Sequence, residues 1–278
     1  GTDSLSITVS DGSRDSDTEN LTLTTIAENN APAVTVRNVI MDYDATIAAS
    51  HAVIANDTDG DTLTYTTWDN SQGTTTAFYS LDSSYLSNET EITQDQFDTL
   101  QIEAGTNATT ETLWARVHDG EDHSAWVQYS VETTNVSTLT GSDDHELLAG
   151  GDDANTLNGG AGDDVLYGGD GLDQLTGGDD ADIFVFQDGS AFNDQDTITD
   201  FNTADGDAID ISDILTGFYD PETDAITDFL QITDNGSDST VSVDQDGGGN
   251  SFAAIATIEG VTGLTDEQTL HDNGNIIL

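Results

Sequence analysis

Aspartates recur every nine residues between Asp164 and Asp182, in a stretch where glycines come in pairs. Five consecutive nine-residue units make up this stretch: GSDDHELLA (141–149), GGDDANTLN (150–158), GGAGDDVLY (159–167), GGDGLDQLT (168–176) and GGDDADIFV (177–185). The sixth position of the last three units is an aspartate. Carboxylate oxygens are hard ligands, and Ca²⁺ takes about six to eight oxygens. The spacing therefore predicts a row of calcium sites.

Three other positions of each unit determine its local structure. Glycines at the first two positions permit positive φ angles, so the chain can turn tightly and aim backbone carbonyls inward. The eighth position is large and apolar in every unit and would face the inside of a short strand. These residues are Leu148, Leu157, Leu166, Leu175 and Phe184. Because one unit cannot bury its own apolar residue, several units must stack around a thin core.

The pattern G-G-x-G-x-D-x-U-x, in which U is a large apolar residue, is complete in units 159–167 and 168–176. It resembles the calcium-binding repeat of the repeats-in-toxin (RTX) proteins, which forms a parallel β-roll. The resemblance implies that two units make one coil, so that turns two units apart stack on each other. The alternative is a flexible linker rich in glycine and aspartate. A linker does not explain the fixed phase of the apolar position.

Stacking of alternate units predicts three calcium sites. Their side-chain ligands are Glu146 with Asp164, Asn155 with Asp173, and Asp164 with Asp182. Backbone carbonyls from positions two and four of the earlier turn, and from positions one and three of the later turn, complete each shell. These carbonyls belong to Ser142, Asp144, Gly151, Asp153, Gly159, Gly160, Ala161, Gly162, Gly168, Asp170, Gly177 and Asp179. Glu146 and Asn155 depart from the aspartate pattern, which weakens the prediction for the first two sites.

The 278 residues are enough for two or three domains, and the charge of the chain is extreme. It has 55 acidic residues, three arginines and no lysine, which gives a formal net charge of −52. Repulsion at that charge opposes a compact state, so folding needs cations or high salt. Binding of nucleic acid or anionic lipid through lysine and arginine is excluded. With no cysteine, metal ions are the available staples, and calcium suits an extracellular protein.

Residues 1–31 are expected to be the last hairpin of a preceding module and a linker, as if the chain came from a longer tandem array. Alternating apolar residues predict two strands around an Asp11-Gly12 turn. They are Leu5, Ile7, Val9, Leu21, Leu23 and Ile26. The linker runs from Ala27 to Pro32, and its Asn-Ala-Pro before a β-branched run resembles the opening of bacterial cadherin-like and immunoglobulin-like repeats. We expect neither a Sec-type signal peptide nor membrane insertion, since no suitable apolar run occurs.

Residues 32–137 are predicted to form a β-sandwich, because turn signals come at short intervals. The candidate strands are Val34–Ile40, Thr62–Trp68, Thr75–Leu81, Leu100–Ile102, Leu113–Val117 and Trp126–Val131. The loop 56–61 between the first two carries Asp57, Asp59 and Asp61, which are spaced to wrap a calcium ion. It lacks the distal glutamate of an EF-hand, and an acidic β-turn is the alternative interpretation. Stretches 57–68 and 114–126 resemble a small sandwich domain found beside RTX repeats in large bacterial surface proteins.

Two other groups in this domain invite functional interpretations. His118 and His123 flank a hairpin tip, where a solvated acidic turn is favoured over a zinc site, because extended spacing does not converge the ring nitrogens. Trp68, Trp114 and Trp126 are candidates for a ligand surface. Since they lie in alternating apolar runs, we instead predict that they pack in the core.

After the repeats, the sequence Asp196-Thr-Ile-Thr-Asp-Phe201 is followed by a glycine-containing turn and Asp207-Ala-Ile-Asp-Ile-Ser212. This resembles the C-terminal cap and secretion region of type I secreted RTX proteins. The resemblance implies further calcium ligands at Asp196 and Asp200, with Asp207 and Asp210 as additional candidates. We therefore divide the rest of the chain into an RTX β-roll at 138–188 and a cap with secretion region at 189–278. The predicted fold class is all-β, with sandwich, calcium-bound parallel β-roll and C-terminal cap in that order.

No catalytic motif is present, so we do not expect an enzyme. The sequence favours a calcium-binding structural or adhesive module at the end of a secreted bacterial surface protein, folding when several calcium ions bind outside the cell. The expected partners are a type I secretion machine and, as ligands, a cell-surface glycan, a peptide or neighbouring copies of the chain. The alternatives are the secretion tail of an extracellular protease or lyase and a calcium-dependent surface-layer subunit.

Overall fold

The computed structural model describes residues 2–7, 10–14, 19–24, 28–69, 75–86 and 88–278. At the N-terminus, strands β1 (Thr2–Ile7) and β2 (Glu19–Thr24) pair antiparallel, with Leu5 opposite Leu21. Val9, Ile26 and Ala27, which belong to the predicted hairpin and linker, lie outside the described residues. In the described part of the chain, no helix has the length and apolar character needed to cross a bilayer.

The next segment is a β-sandwich with short helical turns at Ala49–His51 and α1 (Gln94–Phe97). Its strands are β3 (Ala33–Val36), β4 (Asn38–Asp42), β5 (Thr46–Ala48), β6 (Val53–Asn56), β7 (Thr64–Asp69), β8 (Phe78–Leu81), β9 (Ser84–Tyr85), β10 (Asn88–Thr93), β11 (Gln101–Glu103), β12 (Thr109–His118) and β13 (Val127–Thr134). One sheet has the order β10-β7-β12-β13-β4, and the other has the order β5-β11-β8-β9. The predicted strand 34–40 is interrupted at Arg37, and strands β5, β6, β9 and β10 lie outside all of the predicted strands.

The repeats form a parallel β-roll made of two sheets. Its strands are β14 (Thr138–Thr140), β15 (Glu146–Ala149), β16 (Thr156–Ala161), β17 (Val165–Tyr167), β18 (Gln174–Asp179) and β19 (Ile183–Val185). Each strand pairs with the strand two units later, so that Leu148 lies beside Leu166 and Leu157 lies beside Leu175. All five residues of the eighth position are completely buried. The nine-residue period therefore fixes both the sheet to which a strand belongs and its register.

The C-terminal segment continues both sheets of the roll and closes its end. Its elements are β20 (Asp196–Ile198), β21 (Ala208–Asp210), α2 (Ser212–Leu215), α3 (Ile226–Phe229), β22 (Leu230–Asp234), β23 (Ser239–Val243), β24 (Ala253–Ile258), α4 (Glu267–Asp272) and β25 (Ile276–Ile277). One sheet ends β19-β21-β25, and the other ends β18-β20-β24-β23-β22. Ile198, Ile209 and Ile258 extend the apolar stack inside the roll.

The sandwich and the roll share a sheet. Strand β4 lies parallel to both of its neighbours in that sheet, β13 on one side and β15 on the other. The result is one ten-stranded sheet that runs from β10 to β25. The boundary predicted between residues 137 and 138 is therefore crossed by continuous backbone pairing.

Candidate metal centre

A ladder of hydrogen bonds joins the sixth-position residues along one side of the roll. The backbone N–H of Glu146 donates to Oδ1 of Asp164 at 2.7 Å, and that of Asp164 donates to Oδ1 of Asp182 at 3.0 Å. The N–H of Asp182 continues the ladder to Oδ1 of Asp207 at 3.1 Å. On this side, the stacking of alternate units thus brings together two of the predicted pairs and adds a cap residue.

The opposite side carries a second ladder of the same kind. The backbone N–H of Asn155 donates to Oδ1 of Asp173 at 2.7 Å, and that of Asp173 donates to Oδ1 of Asp196 at 3.0 Å. The third predicted pair is therefore in contact as well, and Asp196 of the cap follows it. In both ladders a carboxylate uses one oxygen to hold two successive coils together.

The second oxygen of three ladder aspartates has no partner among the described residues. Oδ2 of Asp164, Asp173 and Asp182 is buried and accepts no hydrogen bond from that part of the chain. A buried carboxylate oxygen without a donor is costly unless a cation compensates it. Each of these atoms lies against the first glycine of its own unit, so that a Cβ at Gly159 or Gly177 would collide with it. Glycine at the first position thus leaves space at the unpaired oxygen.

Backbone carbonyls point into the same gaps between successive turns. A Cβ at Gly160 would collide with the carbonyl oxygen of Ser142, and one at Gly162 would approach that of Asp144 to 2.6 Å. On the other side, Gly171 stands in the same relation to the carbonyl of Asp153. The same close approach involves the carbonyls of Gly151, Gly159, Gly160, Gly168 and Gly177. The carbonyls predicted at positions one, two and four therefore lie between stacked turns.

Position three of the units is placed by pairing between coils. Ala161 lies beside Asp179 in the register of β16 and β18, and its N–H donates to the carbonyl of Ser142 at 3.0 Å. The side chain of Asp170 accepts a 2.8 Å hydrogen bond from Asn193 of the cap. These contacts locate the third-position residues at the turns and leave their role as ligands a prediction.

Glu146 and Asn155 differ from the three aspartates, as their residue types led us to expect. Both carboxylate oxygens of Glu146 accept hydrogen bonds from Ser142, from its N–H at 2.9 Å and its hydroxyl at 2.6 Å. Oδ1 of Asn155 accepts the N–H of Gly151 at 3.1 Å. Their oxygens are thus satisfied within their own turns. The unpaired oxygens begin one coil later and continue toward the cap.

Burial raises the pKa of the ladder aspartates well above that of an ordinary carboxyl. The pKa of Asp182 rises to about 8, mainly because of burial and also because of the nearby Asp207 and Asp164. Burial likewise raises the pKa of Asp196 to about 7, and that of Asp164 and Asp173 to about 6. Ionised carboxylates are therefore disfavoured at these positions unless a cation is close.

The cap residues divide into ligand candidates and structural ones. Asp200 accepts the N–H groups of Gly177 at 3.0 Å and Gly178 at 2.9 Å, which places its carboxylate over the last repeat turn. Oδ2 of Asp207 accepts the N–H of Asn202 at 2.8 Å. The carboxylate of Asp210 instead receives the N–H and hydroxyl of Ser212 and closes the turn into α2. Asp207, which the sequence offered only as an additional candidate, stands at the end of a ladder.

The loop 57–61 of the sandwich gathers three carboxylates. Ligand oxygens of Asp57, Asp59 and Asp61 lie within 4.8 Å of one another. Oδ1 of Asp57 accepts the N–H groups of Asp59 at 2.9 Å and Asp61 at 3.1 Å, while its Oδ2 is buried without a partner. Asn30 of the linker donates to Asp59, from its N–H at 2.7 Å. The loop thus has the closeness and the unpaired oxygen that a calcium site requires.

The remaining predictions for the sandwich concern its two hairpin histidines and its three tryptophans. The ring centroids of His118 and His123 are 4.2 Å apart across the hairpin, with the two rings tilted by 39°, and hydrogen bonds to Asp119 close the hairpin tip. The prediction that the tryptophans pack in the core is wrong. Trp68 is 36% exposed, and Trp114 and Trp126 are half-buried beside it. They lie on the outer face of the sheet because the alternating apolar residues of β12, not Trp114, point inward.

A family model for the RTX calcium-binding nonapeptide repeat matches four copies in this chain, over residues 140–175, 149–184 and 163–195. Residues 140–195 are therefore similar to RTX calcium-binding repeats. The solved structure of the AlgE6R3 subunit of the Azotobacter vinelandii mannuronan C5-epimerase is 28% identical, with a TM-score of 0.33. That likeness covers 50% of this chain and 76% of the epimerase subunit.

A second solved structure, domains 4 and 5 of the S-layer protein SbsC, is 17% identical with a TM-score of 0.24. The likeness covers 48% of this chain and 58% of that one. A comparison with curated protein sequences gives no match. The RTX assignment therefore depends on the repeat match and agrees with the stacked coils. The donor set, carboxylate oxygens with backbone carbonyls, suits calcium.

Proposed function

We propose that this chain is an extracellular, calcium-binding structural and adhesive module from a type I secreted bacterial surface protein, and that its roll folds as calcium binds. The observation that supports this most directly is the set of unpaired buried oxygens of Asp164, Asp173 and Asp182 between stacked turns. The proposal assigns no catalytic role to the chain.

The charge of the chain explains why folding and calcium would be coupled. At a net charge of −52, repulsion between coils opposes the closed roll, and the ladders bring carboxylates into contact. Calcium removes this repulsion and supplies the missing partner of each unpaired oxygen. At calcium about ten times above Kd, each site adds about 1.4 kcal/mol to the free energy of unfolding. Several sites together decide whether the roll forms.

Circular dichroism of the full chain tests this coupling, first in EGTA and then in calcium. We expect the β signal and the melting temperature to rise on adding calcium. Asp182→Asn should lose much of this gain, whereas Asp180→Asn, an exposed neighbour in the same turn, should keep it. An unchanged spectrum and melting temperature in EGTA would refute the proposal.

Export would use the same coupling. Low calcium in the cytosol keeps the roll open for passage through a type I channel, and millimolar calcium outside folds it. The test joins a slow-folding passenger to the full chain and to a version ending at Val185, in cells with a type I exporter. Equal amounts of passenger in the medium would mean that residues beyond 185 only cap the roll. Retention of both, while a known substrate is exported, would also count against a secretion signal there.

The outer face of the sandwich supports the adhesive part of the proposal. The rings of Trp68 and Trp114 are 5.5 Å apart, and Trp126 is 6.2 Å from Trp68. Arg116 lies 4.5 Å over the ring of Trp126, and its charge is paired with Glu89 at 2.8 Å. Clustered rings with a neutralised cation suit an uncharged sugar chain, while the acidic protein repels anionic polymers. The ligand class that fits is a neutral cell-surface glycan.

Retention on immobilised cellulose, starch and mannan, measured in calcium, tests this face. The Trp68→Ala/Trp114→Ala variant should be retained less than the wild type. Phe192→Ala removes an exposed aromatic ring elsewhere and is the matched control. Loss of retention in both variants, or in neither, would contradict a glycan site at the tryptophans, as would failure of the wild type to bind any of the three polymers.

Two other roles remain alternatives to the adhesive one. Calcium-dependent self-assembly would make the chain a surface-layer subunit, and a catalytic domain elsewhere in the protein would make it a secretion tail. Electron microscopy of the full chain with calcium added tests the first alternative, because a surface-layer subunit forms two-dimensional lattices. Sequencing the gene upstream tests the second alternative, because a secretion tail requires a catalytic domain elsewhere in the protein.

A further inference from the structure

Strand β4 of the sandwich occupies the position of a coil that would precede the first repeat. It lies parallel to β15, with Ile40 beside Leu148 and Met41 beside Ala149, just as β15 lies beside β17. Ile40 packs against the apolar stack inside the roll. The sandwich thereby covers the N-terminal end of this sheet of the roll, as the cap segment covers the other end.

The opposite face of the shared sheet belongs to the core of the sandwich. Leu147 and Ala149 of β15, Val165 and Tyr167 of β17, and Val185 of β19 are all buried in that core. Leu148 and Leu166, which alternate with them, are buried in the roll. Each repeat strand of this sheet therefore contributes to two cores. Removing the sandwich would expose one apolar face of the roll.

Each end of β4 contacts a turn of the roll through a side chain. At the C-terminal end, Oδ2 of Asp42 accepts a 3.1 Å hydrogen bond from the amide nitrogen of Asn155. Asn155 is the one sixth-position residue that is neither aspartate nor glutamate, and it faces a carboxylate of the sandwich. An aspartate at 155 would oppose Asp42 with a like charge. Because the amide of Asn155 contacts Asp42 directly, no cation is needed to bridge two carboxylates at this joint.

At the N-terminal end of β4, an arginine makes the corresponding contact. Arg37 donates from Nε to the carbonyl of Asp163 at 3.5 Å and from a terminal nitrogen to the carbonyl of His51 at 3.0 Å. It is one of three arginines in the chain, and it is half-buried between the sandwich and an acidic turn of the roll. A fixed cation thus stands where the roll meets the sandwich.

We propose that β4, with Arg37 and Asp42 at its ends, is a calcium-independent N-terminal cap of the roll. The sandwich then provides the first coil on which the repeats stack, and the two units fold as one. Calcium bound in the roll consequently stabilises the sandwich through the shared sheet and the shared core. An amide at 155 and a guanidinium at 37 hold this joint together, once the roll has folded, without a calcium ion between the two units.

A double-mutant cycle on the full chain in calcium, where the roll is folded, tests the joint. Asn155→Asp places two carboxylates in contact and should lower the urea midpoint, and in a thermal melt it should lower the melting temperature by about 2–4 °C per kcal/mol lost. Asp42→Asn/Asn155→Asp reverses donor and acceptor and should recover most of the loss. Asn158→Asp, which adds a negative charge at an exposed position of the roll, controls for the change in charge. Equal midpoints for Asn155→Asp and wild type, or no recovery in the double variant, would overturn the proposal.

Tryptophan fluorescence tests the coupling to calcium separately. All three tryptophans lie in the sandwich, so their emission reports on that unit alone. Calcium should raise the urea midpoint followed by fluorescence, and Asp182→Asn, a change inside the roll, should reduce that rise. A calcium effect on fluorescence that Asp182→Asn leaves intact would mean that the sandwich responds only to its own loop 57–61. That result would overturn the coupling even if calcium still folds the roll.

Discussion

Asp182 and Asp164 are joined across one full coil of the roll by a 3.0 Å hydrogen bond from the N–H of Asp164 to Oδ1 of Asp182. The other oxygen of Asp182 is buried without a partner. The same division of roles holds for Asp164 and Asp173. One oxygen of each carboxylate sets the spacing of the coils, and the other is left for a cation. Structure and calcium binding thus depend on the same side chains.

Asp182→Asn should remove more bound calcium than Glu146→Gln, although both residues stand on the same ladder. The unpaired oxygen of Asp182 needs a cation, whereas both oxygens of Glu146 already accept hydrogen bonds from Ser142. Calorimetric titration of the full-length variants measures the number of ions and their affinities. Equal losses in the two variants would show that the first gap binds calcium as well as the later ones do.

In EGTA, the chain should become more stable as the pH falls from 8.5 to 5.5. Burial raises the pKa of Asp182 to about 8 and that of Asp196 to about 7, whereas an unfolded aspartate has a pKa of about 3.9. The folded state therefore binds protons more tightly, and stability is lost as the pH rises through this window. One proton contributes at most about 1.4 kcal/mol per pH unit. Urea midpoints across the pH series measure the effect.

Asp182→Asn supplies the control for the pH series. It removes a buried ionisable group, so the variant should be more stable than wild type at pH 8.5 in EGTA and should depend less on pH. In calcium the order should reverse, because the variant has lost a ligand. A variant with the wild-type pH dependence would show that other groups cause it. Most exposed carboxylates are already ionised above pH 6 and do not contribute over this range.

Gly178→Ala should destabilise the chain more than Gly236→Ala. Both glycines have positive φ angles, +119° and +94°, so an alanine is strained by about 1–2 kcal/mol at either position. A Cβ at Gly236 meets open space, but one at Gly178 would collide with the carbonyl of Gly160 between stacked turns. The excess loss should grow when calcium is added, since that carbonyl is a predicted ligand. Melting temperatures with and without calcium check both points, and equal losses would argue against a crowded gap.

The repeats were the most predictable part of the fold, because their period acts locally. The fixed phase of Leu157 and Leu175 determined the strands, and the phase of Asp164 determined which carboxylates meet. Asp207 was harder to assign because it lies 25 residues after Asp182, outside the period, yet it continues the same ladder. A ladder position reached through an irregular turn leaves no spacing signal in the sequence.

No repeating sequence pattern predicted the sheet that the sandwich and the roll share. Parallel pairing of β4 with β15 joins residues more than a hundred positions apart, and nothing local in Val39 or Ile40 indicates a partner in the repeats. The tryptophans were misplaced for a different reason. Alternation in β12 separates Leu113 from Trp114 but does not say which face is buried, and the prediction from apolar runs put the tryptophan on the wrong face. Only the packing of the second sheet decides between the faces.

Asp57→Asn should remove one calcium ion from the sandwich and leave the number of ions bound in the roll unchanged. The substitution retains an oxygen that can accept the N–H groups of Asp59 and Asp61, but it removes the charge beside the buried, unpaired Oδ2. Calorimetric titration should therefore show one ion fewer, with the loop still folded. Asp95→Asn, an exposed carboxylate at the start of α1 in the same domain, is the matched control and should keep the full number. If Asp57→Asn binds as many ions as Asp95→Asn, the loop is an acidic turn held by its own hydrogen bonds.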